Sequence, residues 1–151
     1  MKKVAATALF IIALLFTGVN STFAQSNKAV DMFKNHINKV VQKVKQTPNP
    51  KAKRQILNRS FNNLLSAFRR VNRMKALSQS DQSALNELSQ NIRNKKYELN
   101  GTHGYKRVPD NRLNKYANYV QQNIEQANGT ITISVTVLLL IIILVVLLVA
   151  L

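Results

Sequence analysis

From Ile131 to Leu151 the chain runs 21 residues without a charge, a proline or a glycine. Leu, Ile and Val dominate the run, and Thr132, Ser134 and Thr136 cluster near its start. At ~1.5 Å per residue a helix of this length reaches about 31 Å, close to the ~30 Å hydrocarbon core of a bilayer. A helix on the surface of a soluble domain shows one polar face, and this one is apolar all round. Residues 130–151 are therefore expected to form a single C-terminal transmembrane helix.

The opposite end is also apolar but shorter. Lys2 and Lys3 precede an apolar stretch from about Val4 to Val19, and Thr22-Phe23-Ala24 offers a small-residue cleavage site before Gln25. This is the pattern of a secretory signal peptide over residues 1–24. The two ends together place residues 25–129 on the extracytoplasmic side of a cell membrane, as a single-pass protein. A rival reading takes Asn128-Gly129-Thr130 and the following tail as a lipid-anchor signal, although the spacer is shorter and more apolar than usual. The Asn-x-Ser/Thr triplets at Asn58, Asn100 and Asn128 carry little weight in an Asn-rich chain.

Between the apolar ends the pattern is helical. Val30, Phe33, Ile37, Val40 and Val44 step by three and four, and Pro48-Asn49-Pro50 stops the helix. A second helix is expected over residues 51–77, with Leu57, Phe61, Leu64, Phe68 and Val71 inward and Leu65, Met74 and Leu77 widening the stripe. Ser78 then offers an N-cap for a third helix over residues 81–99, with Leu85, Leu88, Ile92 and Leu99 inward and Asn100-Gly101 as its stop. A fourth helix starts near Pro109-Asp110 and buries Leu113, Tyr116, Ala117, Val120 and Ile124. The expected fold is all-α: a small three- or four-helix bundle with antiparallel neighbours, preceded by a signal peptide and followed by the membrane helix.

Charge is the other strong signal. Without Lys2 and Lys3, residues 25–129 carry 20 Lys+Arg against 6 Asp+Glu. Twelve of those basic residues lie between Asp31 and Asp81, where there is no acid at all. Arg59, Arg69, Arg70 and Arg73 fall on the outer positions of the second helix. A merely solvated face would mix signs, because acidic neighbours at i±4 stabilise a helix. An anionic partner is the simplest compensation for the self-repulsion of the block. The expected anion-binding residues are Arg59, Arg69, Arg70 and Arg73 with Lys34, Lys39, Lys43 and Lys45.

Little else in the chain carries chemistry. It has no Cys and no Trp, which excludes a disulfide framework, a thiolate metal site and a Cys nucleophile. His36 and His103 are the only histidines and sit in no metal-ligand spacing. No serine lies in a GxSxG elbow. Gly101-Thr102-His103-Gly104 matches the GXXG spacing of KH loops but lacks their βααβ setting. With Lys106 and Arg107, the glycines Gly101 and Gly104 could cradle a phosphate, although the spacing is not that of a P-loop. The bland alternative is an ordinary helix connection.

No enzyme activity, metal, cofactor or specific nucleic acid is expected. The expectation is a non-enzymatic, membrane-anchored binding or scaffold protein, held in the membrane by Ile131–Leu151. Its basic face would dock anionic lipid headgroups, an envelope polymer or an acidic protein. The alternative is a self-associating structural membrane protein whose basic face is simply solvated.

Overall fold

The computed structural model describes residues 22–74, 77–130 and 133–150, with side chains over residues 30–74, 77–126 and 133–149. The described residues form five α-helices and one 3-10 turn, with no strand. They are α1 (Thr22–Gln46), α2 (Pro50–Asn72), α3 (Gln79–Asn100), the turn Asp110–Arg112, α4 (Leu113–Thr130) and α5 (Val135–Ala150).

Local chemistry sets the boundaries. Asn49 caps α2: its side-chain oxygen accepts from the backbone N–H of Lys51 at 2.9 Å and of Ala52 at 3.2 Å, and Pro50 occupies the first turn. Ser78 caps α3 by accepting from Asp81 N–H at 3.0 Å. Gly101 ends α3 in the left-handed region at φ 70, where its N–H donates to the Tyr97 carbonyl at 2.8 Å. A Cβ at Gly101 would lie 2.8 Å from the backbone nitrogen of Arg107, so the chain needs glycine there for space as well as for φ.

The α1–α2 hairpin is the centre of the bundle. The helix α3 packs on α2, α4 packs on α1, and α5 packs on both α1 and α2. Phe33, Ile37, Val41 and Val44 of α1 meet Leu57, Phe61, Leu64, Phe68 and Val71 of α2 in one continuous core. Leu85, Leu88, Ile92 and Leu99 join it from α3, and Leu113, Tyr116, Ala117, Val120 and Ile124 from α4.

The principal correction concerns the C-terminal run. The described residues do not support the expected transmembrane helix over residues 130–151. No helix among the described residues is long and apolar enough to cross a membrane. The helix α5 is 16 residues long, and Val137, Leu138, Ile141, Ile142 and Val145 are buried in the bundle core. The physical reason is that α5 packs its apolar side chains on α1 and α2, and an all-apolar helix can bury whichever face it turns inward. Residues 131, 132 and 151 of the expected span lie outside the described residues, as do residues 1–21 of the expected signal peptide. Among the described residues the bundle therefore contains five helices, where three or four were expected.

Two smaller expectations also change. The second helix stops at Asn72, five residues early, because the chain must reverse after Val71 to bring α3 alongside; Met74 is left exposed. In α1 the inward residue is Val41, and Val40 is half-buried. The inward line drifts because α1 faces α2, α4 and α5 at once.

The start of α5 is fixed by a buried charge. Asp81, 8% exposed, accepts the Ser134 backbone N–H at 2.7 Å and the Ser78 hydroxyl at 2.8 Å. Burial works against ionisation of this carboxyl. The hydrogen bonds from Ser134 and Ser78 outweigh it and hold its pKa below the ordinary carboxylate value.

Candidate anion-binding face

Residues 36, 39, 40 and 43 share one face of α1, and residues 52, 55, 56, 59, 60 and 63 share one face of α2. Where these faces meet the outer end of α5, they leave an open groove of about 480 Å³. Lys39, Lys43 and Arg59 are exposed at its margin, and His36 is half-buried beside them. Val40, Ile56, Val146 and Val149 supply apolar lining. The three helices that build the groove contain one acid, Asp31 of α1, against eleven Lys and Arg. The site is thus cationic on its rim and apolar within.

His36 registers this environment. Its pKa is lowered from the usual histidine value, first by burial and then by the positive charge of Lys39. The imidazole is accordingly biased towards the neutral form near neutral pH, while the lysines and arginine carry the rim charge.

The eight basic residues expected to bind anions do not form one patch. Lys39, Lys43 and Arg59 come together at the groove. Arg69, Arg70 and Arg73 are exposed at the far end of α2, ten to fourteen residues on, or about 15–21 Å along the axis at ~1.5 Å per residue. Arg69 donates to the Ser66 hydroxyl at 2.9 Å. Lys34 is half-buried and Lys45 exposed on α1, and neither lines the groove.

Two other members of the basic block turn inward. Arg54 donates to the Leu99 carbonyl, to the Val108 carbonyl at 2.7 Å and to Asp110 at 2.5 Å. It thereby ties α2 to the end of α3 and to the turn before α4. The Arg54 hydrogen bond, followed by burial working the other way, leaves the exposed Asp110 carboxyl with a lowered pKa. Lys53 donates to Asn114 at 2.7 Å. These two cations are structural.

The loop after α3 is more committed than its glycines imply. Gly101 is the cap of α3, and Arg107 pairs with Asp110 at 3.2 Å. His103, at φ 56, stacks on Tyr97 with ring centroids 3.8 Å apart. Val108 N–H donates to the Glu98 carbonyl at 3.2 Å. Of the four residues expected to contact phosphate, Gly104 and Lys106 remain exposed without a structural task of this kind.

Sequence reasoning missed three features. His36 belongs to the groove, and its i, i+3, i+7 spacing with Lys39 and Lys43 could have placed it there. Val146 and Val149 belong to the same groove, and no sequence signal located α5 beside it. A polar cluster joins α3 to α4: Lys95 donates to Glu98 at 3.0 Å and to the Tyr119 hydroxyl at 2.6 Å. Tyr116 donates to the Lys95 carbonyl at 2.5 Å. Burial, then the Glu98 carboxylate, raises the pKa of the Tyr116 phenol. Lys95 has a raised pKa because its bonds to Tyr119 and Glu98 outweigh the opposing effect of burial. Among the described residues, no three His, Cys, Asp or Glu side chains are grouped so as to hold a metal ion.

No family model, curated protein or solved structure matches this chain.

Proposed function

We propose that this protein is a non-enzymatic helical module that docks on anionic membrane surfaces from the extracytoplasmic side. The observation that carries the proposal is the groove itself, where Lys39, Lys43 and Arg59 lie beside Val146 and Val149. Val146, Leu147 and Val149 are 47%, 41% and 60% exposed, an apolar tip next to a cationic rim. That pairing suits the boundary between headgroups and acyl chains. A Lys or Arg at an anionic surface contributes on the order of 1 kcal/mol, and a newly buried Val or Leu about 1.5–3 kcal/mol. An envelope polymer or an acidic protein would use the cations and leave the tip wet. On this reading the membrane contact is made by the outer end of α5 lying in the interface. Export rests on the signal-like residues 1–24.

Sedimentation of the full chain with vesicles tests the proposal. Binding to anionic vesicles should fall steeply with added salt and should be weak on neutral phosphatidylcholine. The triple variant Lys39→Gln, Lys43→Gln, Arg59→Gln should weaken it by roughly a hundredfold, from about 1 kcal/mol per charge. Equal binding to neutral and anionic vesicles would contradict it. Self-association is the second reading, because a second copy could also cover Val146, Leu147 and Val149. Sedimentation equilibrium separates the two: a monomer at high concentration removes self-association.

A further inference from the structure

We propose that the groove between α1, α2 and the outer end of α5 binds one anionic single-chain amphiphile, a fatty carboxylate or an alkyl or lysophospholipid phosphate. The proposal deepens the docking function, because it rests on the same rim, but it adds a discrete site with a stoichiometry of one.

Three observations define the ligand. The first is charge: Lys39 and Lys43 from α1 and Arg59 from α2 converge on the groove with His36, and among the described residues no carboxylate side chain lines it. Convergent cations from two helices are complementary to a single anionic head. The second is the apolar surface: Val40 and Ile56 with Val146 and Val149 give a chain somewhere to lie out of water. The third is size. A groove of about 480 Å³ falls within the roughly 300–1,000 Å³ usual for small-molecule sites. Inorganic phosphate would engage the rim and leave the apolar lining wet. An uncharged alkyl chain would cover the lining and leave the cations uncompensated. An anionic head on an alkyl chain satisfies both. Gln55, Ser60 and Asn63 also line the groove and offer neutral hydrogen bonds to the head.

The test is calorimetric titration of the full chain in detergent-free buffer with four probes: lauryl phosphate, laurate, inorganic phosphate and dodecanol. The first two should bind saturably, one per chain, at least about tenfold more tightly than the last two. Arg59→Gln and Lys43→Gln should each weaken lauryl phosphate binding by about tenfold, as expected for loss of one charge-assisted contact. Ala52→Phe fills the groove without changing charge and should abolish laurate binding. Should Ala52→Phe fail to fold by circular dichroism, Gln55→Phe, at an exposed lining position, serves the same purpose.

Undiminished laurate binding in the filled variant would overturn the proposal. So would dodecanol or inorganic phosphate binding as tightly as lauryl phosphate. Vesicle docking without amphiphile binding defeats this inference alone, and amphiphile binding without vesicle docking defeats the docking function alone.

Discussion

Arg54 and Arg59 lie five positions apart in one basic block, yet the structure gives them opposite tasks. Arg54 is turned into the bundle and bonds two backbone carbonyls, of Leu99 and Val108, while Arg59 stands exposed at the groove. Arg54→Met should cost about 2–3 kcal/mol in urea unfolding, since it strands two part-buried carbonyls. Arg59→Gln should stay within about 0.5 kcal/mol of the parent, as surface changes do. Equal effects would mean that the division of labour is wrong. Gly101→Ala combines an unfavourable φ of 70 with a Cβ 2.9 Å from the Arg107 Cα. It should lower stability by more than about 1 kcal/mol in the same assay. His36 supplies a pH signature. Its pKa is lowered in the folded chain, so unfolded chains bind the extra proton first. Its contribution is whole above the unfolded value near 6.5 and is lost as pH falls through the folded value. His36→Asn should flatten the stability–pH curve just below pH ~6.5.

At the scale of elements, α5 is where packing departs most from the pattern in the sequence. Ile141 is 1% exposed in the bundle core. Ile141→Ala should therefore destabilise the whole chain by about 2–5 kcal/mol. If residues 131–151 instead left the bundle for a bilayer, the same change would leave bundle unfolding untouched. Asp81 holds the first turn of α5 through Ser134. Its pKa is lowered on folding, so its stabilisation is present above the unfolded carboxylate range and lost as pH falls through the folded value. Asp81→Asn should remove that acid-side loss and speed amide exchange at the start of α5. The inward lines of α2, α3 and α4 were legible because each of these helices has polar residues to mark its outer face. So were the Ser78 cap and the Gly101 stop, since those residue types have few other uses at a helix end. The helix α5 was not legible in this way: a run apolar on every side satisfies a core and a membrane equally. Nor was Arg54 distinguishable from its neighbours, because its acceptors come from residues 45 to 56 positions away. The groove was half legible: Lys39, Lys43 and Arg59 stood out by charge, whereas the apolar wall required knowing where α5 packs.

For the whole molecule, the account joins a lopsided charge to an apolar tip. The charge alone would suit any polyanion, and the tip alone would suit any apolar surface. Their adjacency at one groove selects an anionic interface with an apolar interior. The predicted salt dependence follows from the exposure of Lys39, Lys43 and Arg59, since charges in water are screened over about 8–10 Å at physiological ionic strength. The apolar contribution of Val146, Leu147 and Val149 is insensitive to that screening. Anionic-vesicle binding of the full chain across a salt series, with and without Lys39→Gln, Lys43→Gln and Arg59→Gln, is the most direct measurement. The account predicts a steep fall with salt in the parent and a shallow residual dependence at roughly a hundredfold lower affinity in the triple variant. Superimposable salt curves for parent and variant would contradict it.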